Sequence, residues 1–540
     1  MTSRSTSSER GANAAATELR STSADAPEAA GEGAGADLRS LVSGGLWSTA
    51  ARVIPQLYTL VLLIAAARYL GADRLGRQSY IAFVELSVVM LVTAGMPLAL
   101  MRYVGETIGA GRGPSVRSLA RWAWTVETVA ALVGGGILVG IALAGSKPHG
   151  AWVLAGVATA LGVLQSVPTA FLLGSQRWRE ASIAGLAVGT LATPATVAVL
   201  AAGGGITGMF AVEAAASALI LAWTSLLGGR ALRDIAPTVE PDLVLRRSVL
   251  RYAAGASLGT VLTLVVWRRS ELFFLNHYSS NAQIALYSIC FSVTNALVRV
   301  FEAVIAVVTP AVATLYGAGA IDKIRSGYGR ALRLLIIGTL PVTVLTAALG
   351  PALLRLLGRD FHHIGTILVV MMITFPLVPL QKTAAGLLHG LGRLRFILLS
   401  GAFAAVANIG LDVFLIPRWD AVGAAVANGG AQLAAAVPTL IYASRILGGL
   451  DWRPSFLIRA IPASAATGAA SWAAAQASGG GAVGVAVGAV AGVATFVVFA
   501  GLFRILPAQD AAWLDGHLGA RLGGRVGRAV RFCAPRFEPT

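Results

Sequence analysis

Fourteen stretches of about twenty apolar residues follow one another along this chain, and a polypeptide patterned in that way has only the lipid bilayer as its solvent. A helix of about 20 residues crosses the roughly 30 Å hydrocarbon core. Spans are therefore expected near 42–67, 78–101, 119–144, 151–173, 181–202, 206–228, 249–275, 283–309, 331–357, 364–388, 396–416, 421–444, 456–476 and 481–505. Each should be a helix, because lipid offers no partner to an unpaired backbone N–H or C=O. The composition agrees: only 12% of the residues are charged, against roughly 25% in soluble domains. Many of the 63 glycines fall inside these spans, as at Gly134-Gly135-Gly136, where small residues let helices approach closely.

The net charge of +17 would suit a nucleic-acid partner if it were concentrated on one surface, but its placement argues otherwise. With a cytoplasmic N-terminus and alternating crossings, the inner loops collect Arg102, Arg112, Arg117 and Arg121, then Arg177, Arg230, Arg246, Lys323, Arg325, Arg330 and Arg333, and finally the arginines from Arg504 to Arg536. The outer loops hold Arg68, Arg74, Arg77, Lys147, Arg355, Arg359 and Arg418. About 30 basic residues inside against about 7 outside is a strong positive-inside bias. It implies a multi-pass protein of the plasma (inner) membrane with both termini cytoplasmic, and no nucleic-acid partner. Residues 1–40 are poor in large apolar side chains and are expected to be a disordered tail without a cleaved signal peptide. Cys290 and Cys533 fall in a span and a cytoplasmic tail, so no disulfide is expected.

An internal repeat divides the spans. The second ends on Pro97 followed by Tyr103, and the eighth on Pro310 followed by Tyr316 at the same spacing; a glycine-bearing, basic loop follows each. Leu173-Gly174-Ser175-Gln176-Arg177 before the fifth span resembles Leu391-Gly392-Arg393-Leu394-Arg395 before the eleventh. The fold class expected is an all-α polytopic membrane protein, with two six-helix lobes around a central cavity and two further C-terminal helices. The corresponding boundaries are an N-lobe at 41–228, a cytoplasmic linker at 229–248, a C-lobe at 249–446, spans thirteen and fourteen within 447–505, and a basic amphipathic tail at 506–540.

Three segments carry a resemblance. They are Ala66-Ala67-Arg68-Tyr69-Leu70-Gly71 with Leu75-Gly76-Arg77-Gln78-Ser79-Tyr80; Glu271-Leu272-Phe273-Phe274-Leu275 with Ala285-Leu286-Tyr287-Ser288; and Asn408 through Pro417-Arg418, then Ala421-Val422-Gly423-Ala424-Ala425-Val426-Ala427. Together they resemble the polysaccharide flippases of the multidrug/oligosaccharidyl-lipid/polysaccharide exporter (MOP) superfamily, although Ala285 stands where that family usually has glycine. The resemblance covers spans one to twelve. It implies a transporter, not an enzyme, that moves an undecaprenyl-pyrophosphate-linked oligosaccharide from the inner to the outer leaflet by alternating access. The product would serve cell-surface polysaccharide, lipopolysaccharide or cell-wall assembly, with glycosyltransferases or a polymerase of the same pathway as partners.

Ionisable side chains at mid-bilayer depth cost about 2.5–3.5 kcal/mol each on insertion scales, so those retained should face a cavity or a partner. The candidates are Arg52, Glu85, Glu127, Glu213, Arg268, Arg269, Glu271, Arg299, Glu302, Lys382 and Asp412. Guanidinium forks bind phosphate through paired, directional hydrogen bonds, so Arg52, Arg268, Arg269 and Arg299 are the expected substrate-binding residues. The competing expectations are that Arg268 and Arg269 snorkel to an interface and that Arg299 pairs with Glu302 three residues on. Asn408 and Asp412, four apart, share one helical face, and Asn428 lies in the next span. The resemblance implies that Asn408 and Asp412, with Glu271 and Asn428, form an ion-coupling site for Na+ or H+; hydrogen bonding between helices is the alternative.

No other cofactor is expected, since the six histidines show no metal-ligand spacing and no P-loop or Rossmann fingerprint occurs. Leu514, Leu518, Leu522, Val526 and Val530, interleaved with Arg521, Arg525, Arg528 and Arg531, predict a basic amphipathic helix on anionic inner-leaflet lipids. The alternative function is a multidrug or toxic-compound cation antiporter of the same superfamily, with Glu85, Glu127, Glu213 and Asp412 as its acids. A membrane glycosyltransferase or a scaffold fits less well, because the loops are short.

Overall fold

A computed structural model of the chain describes residues 30–235, 242–268, 270–305, 308–357, 361, 364–449, 455–514 and 532–534. Their regular secondary structure is α-helical, and eleven helices are long and apolar enough to cross a membrane. Two of the eleven are double. Helix α1 (Ala30–Thr93) bends at Gly71, where φ of 73° favours a residue without Cβ, and so holds the first span and most of the second. Near the chain's other end, the helix Leu394–Ile446 turns at Asp420 (φ 48°, ψ −130°) and holds the eleventh and twelfth. Ser455–Ala477 adds a further helix of 23 residues, so that a helical segment lies at each of the fourteen expected positions.

The spans are not all continuous. Span two is completed by α2 (Met96–Gly109) after a left-handed break at Ala94-Gly95. The N-lobe continues with α3 (Gly113–Leu143), α4 (His149–Gly174), α5 (Trp178–Ala201) and α6 (Gly205–Ile235). Span seven is split into α7 (Leu243–Trp267) and α8 (Glu271–Tyr278), and span ten into α12 (Ile364–Thr374) and α13 (Leu377–Gly390); span eight comprises α9 (Asn281–Ile305) and α10 (Val308–Gly317), with 306–307 outside the described residues. Between them runs α11 (Ile321–Leu357), and α14 (Leu394–Ile446), α15 (Ser455–Ala477), α16 (Gly481–Phe503) and α17 (Ala508–Leu514) follow.

The duplication read from the loops reappears in the packing. One apolar cluster joins Leu100 and Val104 of α2, Leu119 of α3, Phe171 of α4 and Ala231 of α6. Its counterpart joins Val312 of α10, Leu332 of α11, Leu387 of α13 and Ala443 of α14, the equivalent spans of the second lobe. Gly174 abuts Val104 in the first cluster and Gly390 abuts Val312 in the second, so both seams depend on a helix-end glycine. Spans thirteen and fourteen, α15 and α16, pack on each other and on α11.

At the end away from the arginine-rich loops, the lobes meet closely. Asn281 Nδ2 donates to Asp73 Oδ1 at 3.0 Å, and a Cβ on Gly76 would lie 1.7 Å from the Asn281 carbonyl oxygen. Phe273 of α8 packs edge-on against Tyr80 and Phe83 of α1 just below. At the arginine-rich end, α7 leans on the N-lobe: Ser257 Oγ donates to the Ala94 carbonyl at 2.7 Å, and Arg102 stacks 4.8 Å from the Tyr252 ring.

Three expected boundaries move. Residues 30–40, expected as disordered tail, are helical and continuous with the first span, because once a helix exists each further residue adds a hydrogen bond at little cost. The 229–248 linker is largely absorbed into α6, which runs to Ile235, and α7, which begins at Leu243. The amphipathic stripe of the tail lies outside the described residues except for Leu514.

Candidate functional site: a polar network at the break in the seventh span

Span seven stops being helical at Arg268, whose backbone is extended (φ −115°, ψ 169°), and helicity resumes at Glu271. The interruption falls where Trp267-Arg268-Arg269-Ser270 interrupts an apolar run, and it strands backbone groups inside the bilayer that must find other partners. Ser270 Oγ donates to the Val265 carbonyl at 2.7 Å, and Asn408 Nδ2 from α14 reaches the same carbonyl at 3.3 Å and Ser270 Oγ at 3.1 Å.

A wholly buried network grows from this repair. Asn408 Nδ2 also donates to Asp412 Oδ2 at 3.2 Å, as their four-residue spacing on one face requires. Asn428 Nδ2 donates to Glu271 Oε1 at 2.8 Å, and Gln432 Nε2 donates to Asn428 Oδ1 at 2.6 Å. Glu271, Asn408 and Asp412 have no exposed surface, and Asn428 is buried. Four oxygens in this group, Glu271 Oε2, Asn408 Oδ1, Asp412 Oδ1 and Gln432 Oε1, have no hydrogen-bond partner among the described residues. Buried acceptors without donors are uncommon, and oxygen ligands of this kind suit a hard monovalent cation or a proton. The described residues bring no three His, Cys, Asp or Glu side chains together, so the donor set lacks the softer ligands of a transition-metal site.

A second cluster lies beside it. Glu302 on α9 accepts from Arg299 Nη1 at 3.3 Å through one carboxylate oxygen and from Lys382 Nζ of α13 through the other. Arg268, at the break, is near enough to feel the charges of Arg299 and Glu302. Two cations thus hold one carboxylate, with a third within electrostatic reach. A cavity of about 50 Å³ joins the clusters, with Lys382, Asn428 and Gln432 on its wall and Thr294, Asn295 and Phe291 opposite.

A family model for MatE matches residues 256–414, a stretch holding Arg268, Glu271, Arg299, Asn408 and Asp412. The lipid II flippase MurJ, solved in an inward closed conformation, superposes with a TM-score of 0.63 at 13% identity, over 85% of this chain and 98% of that one. The chain has the fold of the MOP superfamily. An inward-facing multidrug resistance MATE transporter of that superfamily gives a TM-score of 0.60 at 16% identity, over 73% of this chain and 94% of the other. A MOP superfamily transporter from Pyrococcus furiosus gives 0.55 at 14% identity, over 77% and 96%. No curated protein matches the sequence.

In this MOP fold the expected site residues separate into groups. Glu271, Asn408, Asp412 and Asn428 come together in one network, although their numbers span 157 positions. Arg268 and Arg299 share the neighbouring cluster, and the pairing of Arg299 with Glu302 that competed with a substrate role is present. The side chain of Arg52 and all of Arg269 lie outside the described residues. The sequence reading left Ser270, Lys382 and Gln432 out of the site. Ser270 had a visible signal, standing where an apolar run is broken by two arginines; Lys382 and Gln432 join only because α13 and α14 pack against α9.

Proposed function

We propose that the chain is a flippase that carries an undecaprenyl-pyrophosphate-linked oligosaccharide from the inner to the outer leaflet by alternating access, for cell-surface polysaccharide or cell-wall assembly. The observation that carries this reading is the surplus of positive charge in the cluster around Glu302, where Arg268, Arg299 and Lys382 gather on one carboxylate while Glu271 and Asp412 belong to the separate ion network. A diphosphate needs that surplus to leave water, and guanidinium forks give it directional hydrogen bonds. An organic cation would be repelled there. Arg52 and Arg269 complete the proposed anion site from the first span and the span-seven break.

Glu271, Asn408, Asp412 and Asn428 are proposed to bind the coupling cation, Na+ or H+. Moving one charge through the membrane potential supplies about 2.3 kcal/mol per 100 mV, enough to bias a two-state cycle. Because Asn408 bonds the Val265 carbonyl on one side of the break and the cluster includes Glu271 on the other, occupancy of this site would alter the angle between α7 and α8. Since α7 touches the N-lobe at Ala94 and α8 touches it at Tyr80 and Phe83, on either side of the break, that angle links the ion to the relative placement of the lobes. Both termini are proposed to be cytoplasmic and the membrane the inner one, with the pathway's glycosyltransferases or polymerase as partners.

The second reading, a multidrug cation antiporter, is favoured by the N-lobe acids: Glu85 is buried, and Glu213 is near enough to act on it electrostatically. Reconstituted vesicles loaded with a polyprenyl-pyrophosphate glycan decide between them. Movement of the glycolipid, slowed in Arg299→Ala and Lys382→Ala, supports the flippase; efflux of an organic cation such as ethidium with no glycolipid movement replaces it with the antiporter.

A further inference from the structure

Inside the N-lobe, far from the network just described, a carboxyl group is sealed between helices. Glu127 of α3 is 1% exposed, and its Oε2 has no hydrogen-bond partner among the described residues. What it faces follows from the seam between α3 and α4, which run antiparallel. A Cβ on Gly134 would lie 3.1 Å from Thr159 Cγ2, and one on Gly135 would lie 2.9 Å from the Gly156 carbonyl oxygen. Seven residues back along α3 and seven forward along α4, with only about 20° of drift per heptad, Glu127 stands opposite Ser166.

The hydroxyls on this seam differ from most in the surrounding helices. Thr125, Thr128, Thr193, Thr196 and Thr224 each donate to the carbonyl four residues earlier, the usual resting place of a hydroxyl inside a transmembrane helix. The hydroxyl oxygens of Thr159, Ser166 and Thr169 on α4 are buried and do not, although Ser166 and Thr169 are half-buried as residues. Three hydroxyls available as donor and acceptor therefore lie along α4, and Ser166 is the one the register sets against the carboxyl.

We propose that Glu127, with Ser166 beside it, is a proton-binding site of the N-lobe, separate from the ion site at the span-seven break. Ionised, the carboxylate would keep an oxygen buried without a donor; protonated, it supplies its own O–H to a hydroxyl that lacks a partner. The neighbours leave the proton as the charge available there. Helix α4 carries no charged residue between His149 and Arg177. On α6 the nearest are Glu213, level with Glu85 well along the bundle, and Arg230, which is exposed. The end of α1 and start of α2 opposite Glu127 hold none from Glu85 to Arg102, and Arg102 is stacked on Tyr252. On α3 itself Arg121 is exposed and nearly two turns away. From α7, Arg246 donates to Ser118 of α3 at 3.1 Å, nine residues and about 13 Å of helix before Glu127. The nearest cations named thus lie more than a turn of helix away, and no second acid stands beside Glu127 on these elements.

The proposal is independent of the transported substrate, so its test reads the proton alone. Full-length protein in lipid vesicles is followed by infrared difference spectroscopy through a pH step, in H2O and D2O. We expect a protonated-carboxyl band that titrates, shifts in D2O, disappears in Glu127→Gln and moves in frequency in Ser166→Ala, with thermal midpoints confirming that both variants fold. A band from Glu127 that never titrates, a spectrum unchanged by Glu127→Gln, or a band unmoved by Ser166→Ala overturns it. Asp412→Asn should leave the Glu127 band in place; its loss in that variant would make the two sites one and overturn the separation.

Discussion

Arg333 holds Asp510 with two guanidinium nitrogens, Nε and Nη2, each 2.8 Å from a different carboxylate oxygen, and the aspartate side chain is wholly buried. Arg330 adds a third contact at 3.2 Å and stacks over Trp513 at 5.1 Å. Farther along, the Leu506 amide donates to the Cys533 carbonyl at 3.0 Å, and Phe532 occupies the space above Gly501. The described parts of the C-terminal segment are thus fastened to the protein on either side of the expected amphipathic helix, to α11 through Asp510 and to the end of α16 through Phe532 and Cys533.

Asp510→Ala should therefore loosen the C-terminal segment. Breaking one side of a buried ion pair costs about 3–5 kcal/mol, and the partial exposure of both arginines brings the expected loss to about 2 kcal/mol. A lowered thermal midpoint and faster cleavage after residue 505 in limited proteolysis would register it. Glu180→Gln, which removes the half-exposed 3.6 Å pair with Arg177, should change neither.

At the charge cluster, Lys382→Ala and Glu302→Gln should act in opposite directions. The first removes one phosphate partner and should lower glycolipid transport by about tenfold, the equivalent of one charge-assisted hydrogen bond of about 1.5 kcal/mol. The second frees Lys382 and Arg299 from their internal carboxylate and should leave or raise affinity for a pyrophosphate headgroup. Initial rates in reconstituted vesicles compare the two, and equal losses from both would show that the cluster serves only to hold α9 against α13.

Cation occupancy at the span-seven break should appear as linkage. A ligand at about 100 times its Kd stabilises the folded state by about 2.7 kcal/mol. Thermal unfolding in sodium against choline should show a shift that Asp412→Ala and Asn408→Ala abolish. If protons occupy the site instead, sodium will have no effect and the midpoint will depend on pH through the same two residues.

The seam between the lobes at the arginine-poor end offers no room above Gly76, where a Cβ would strike the Asn281 backbone. Gly76→Ala should hold this end apart. With Asp73 and Asn281 both changed to cysteine in a background lacking Cys290 and Cys533, a short thiol cross-linker should join them efficiently, and adding Gly76→Ala should lower the yield several-fold.

Much of the site was readable because part of its geometry is local. Asn408 with Asp412 and Arg299 with Glu302 are four and three residues apart, so helix periodicity alone puts each pair on one face, and both pairs are in contact. The repeat was legible for a similar reason: Pro97 in α2 and Pro310 in α10 each stand six residues before a tyrosine, Tyr103 and Tyr316, at equivalent points of the two lobes. Lys382 was weighed as one more intramembrane charge and not placed with Glu302, because the 80 positions between them carry no local signal.

The sequence by itself determined the solvent, the helical state of the spans, their number and the side on which the basic loops gather, since each follows from local hydropathy and the backbone's need for internal hydrogen bonds in lipid. Tertiary structure alone decided that a break in span seven is repaired by Asn408, that Glu271 meets Asn428, and that Asp510 ties the tail to α11. Those pairings join helices far apart in the chain. Lipid exerts no hydrophobic force between them, so close packing at small residues and polar contacts select the partners, and neither is encoded in any one span.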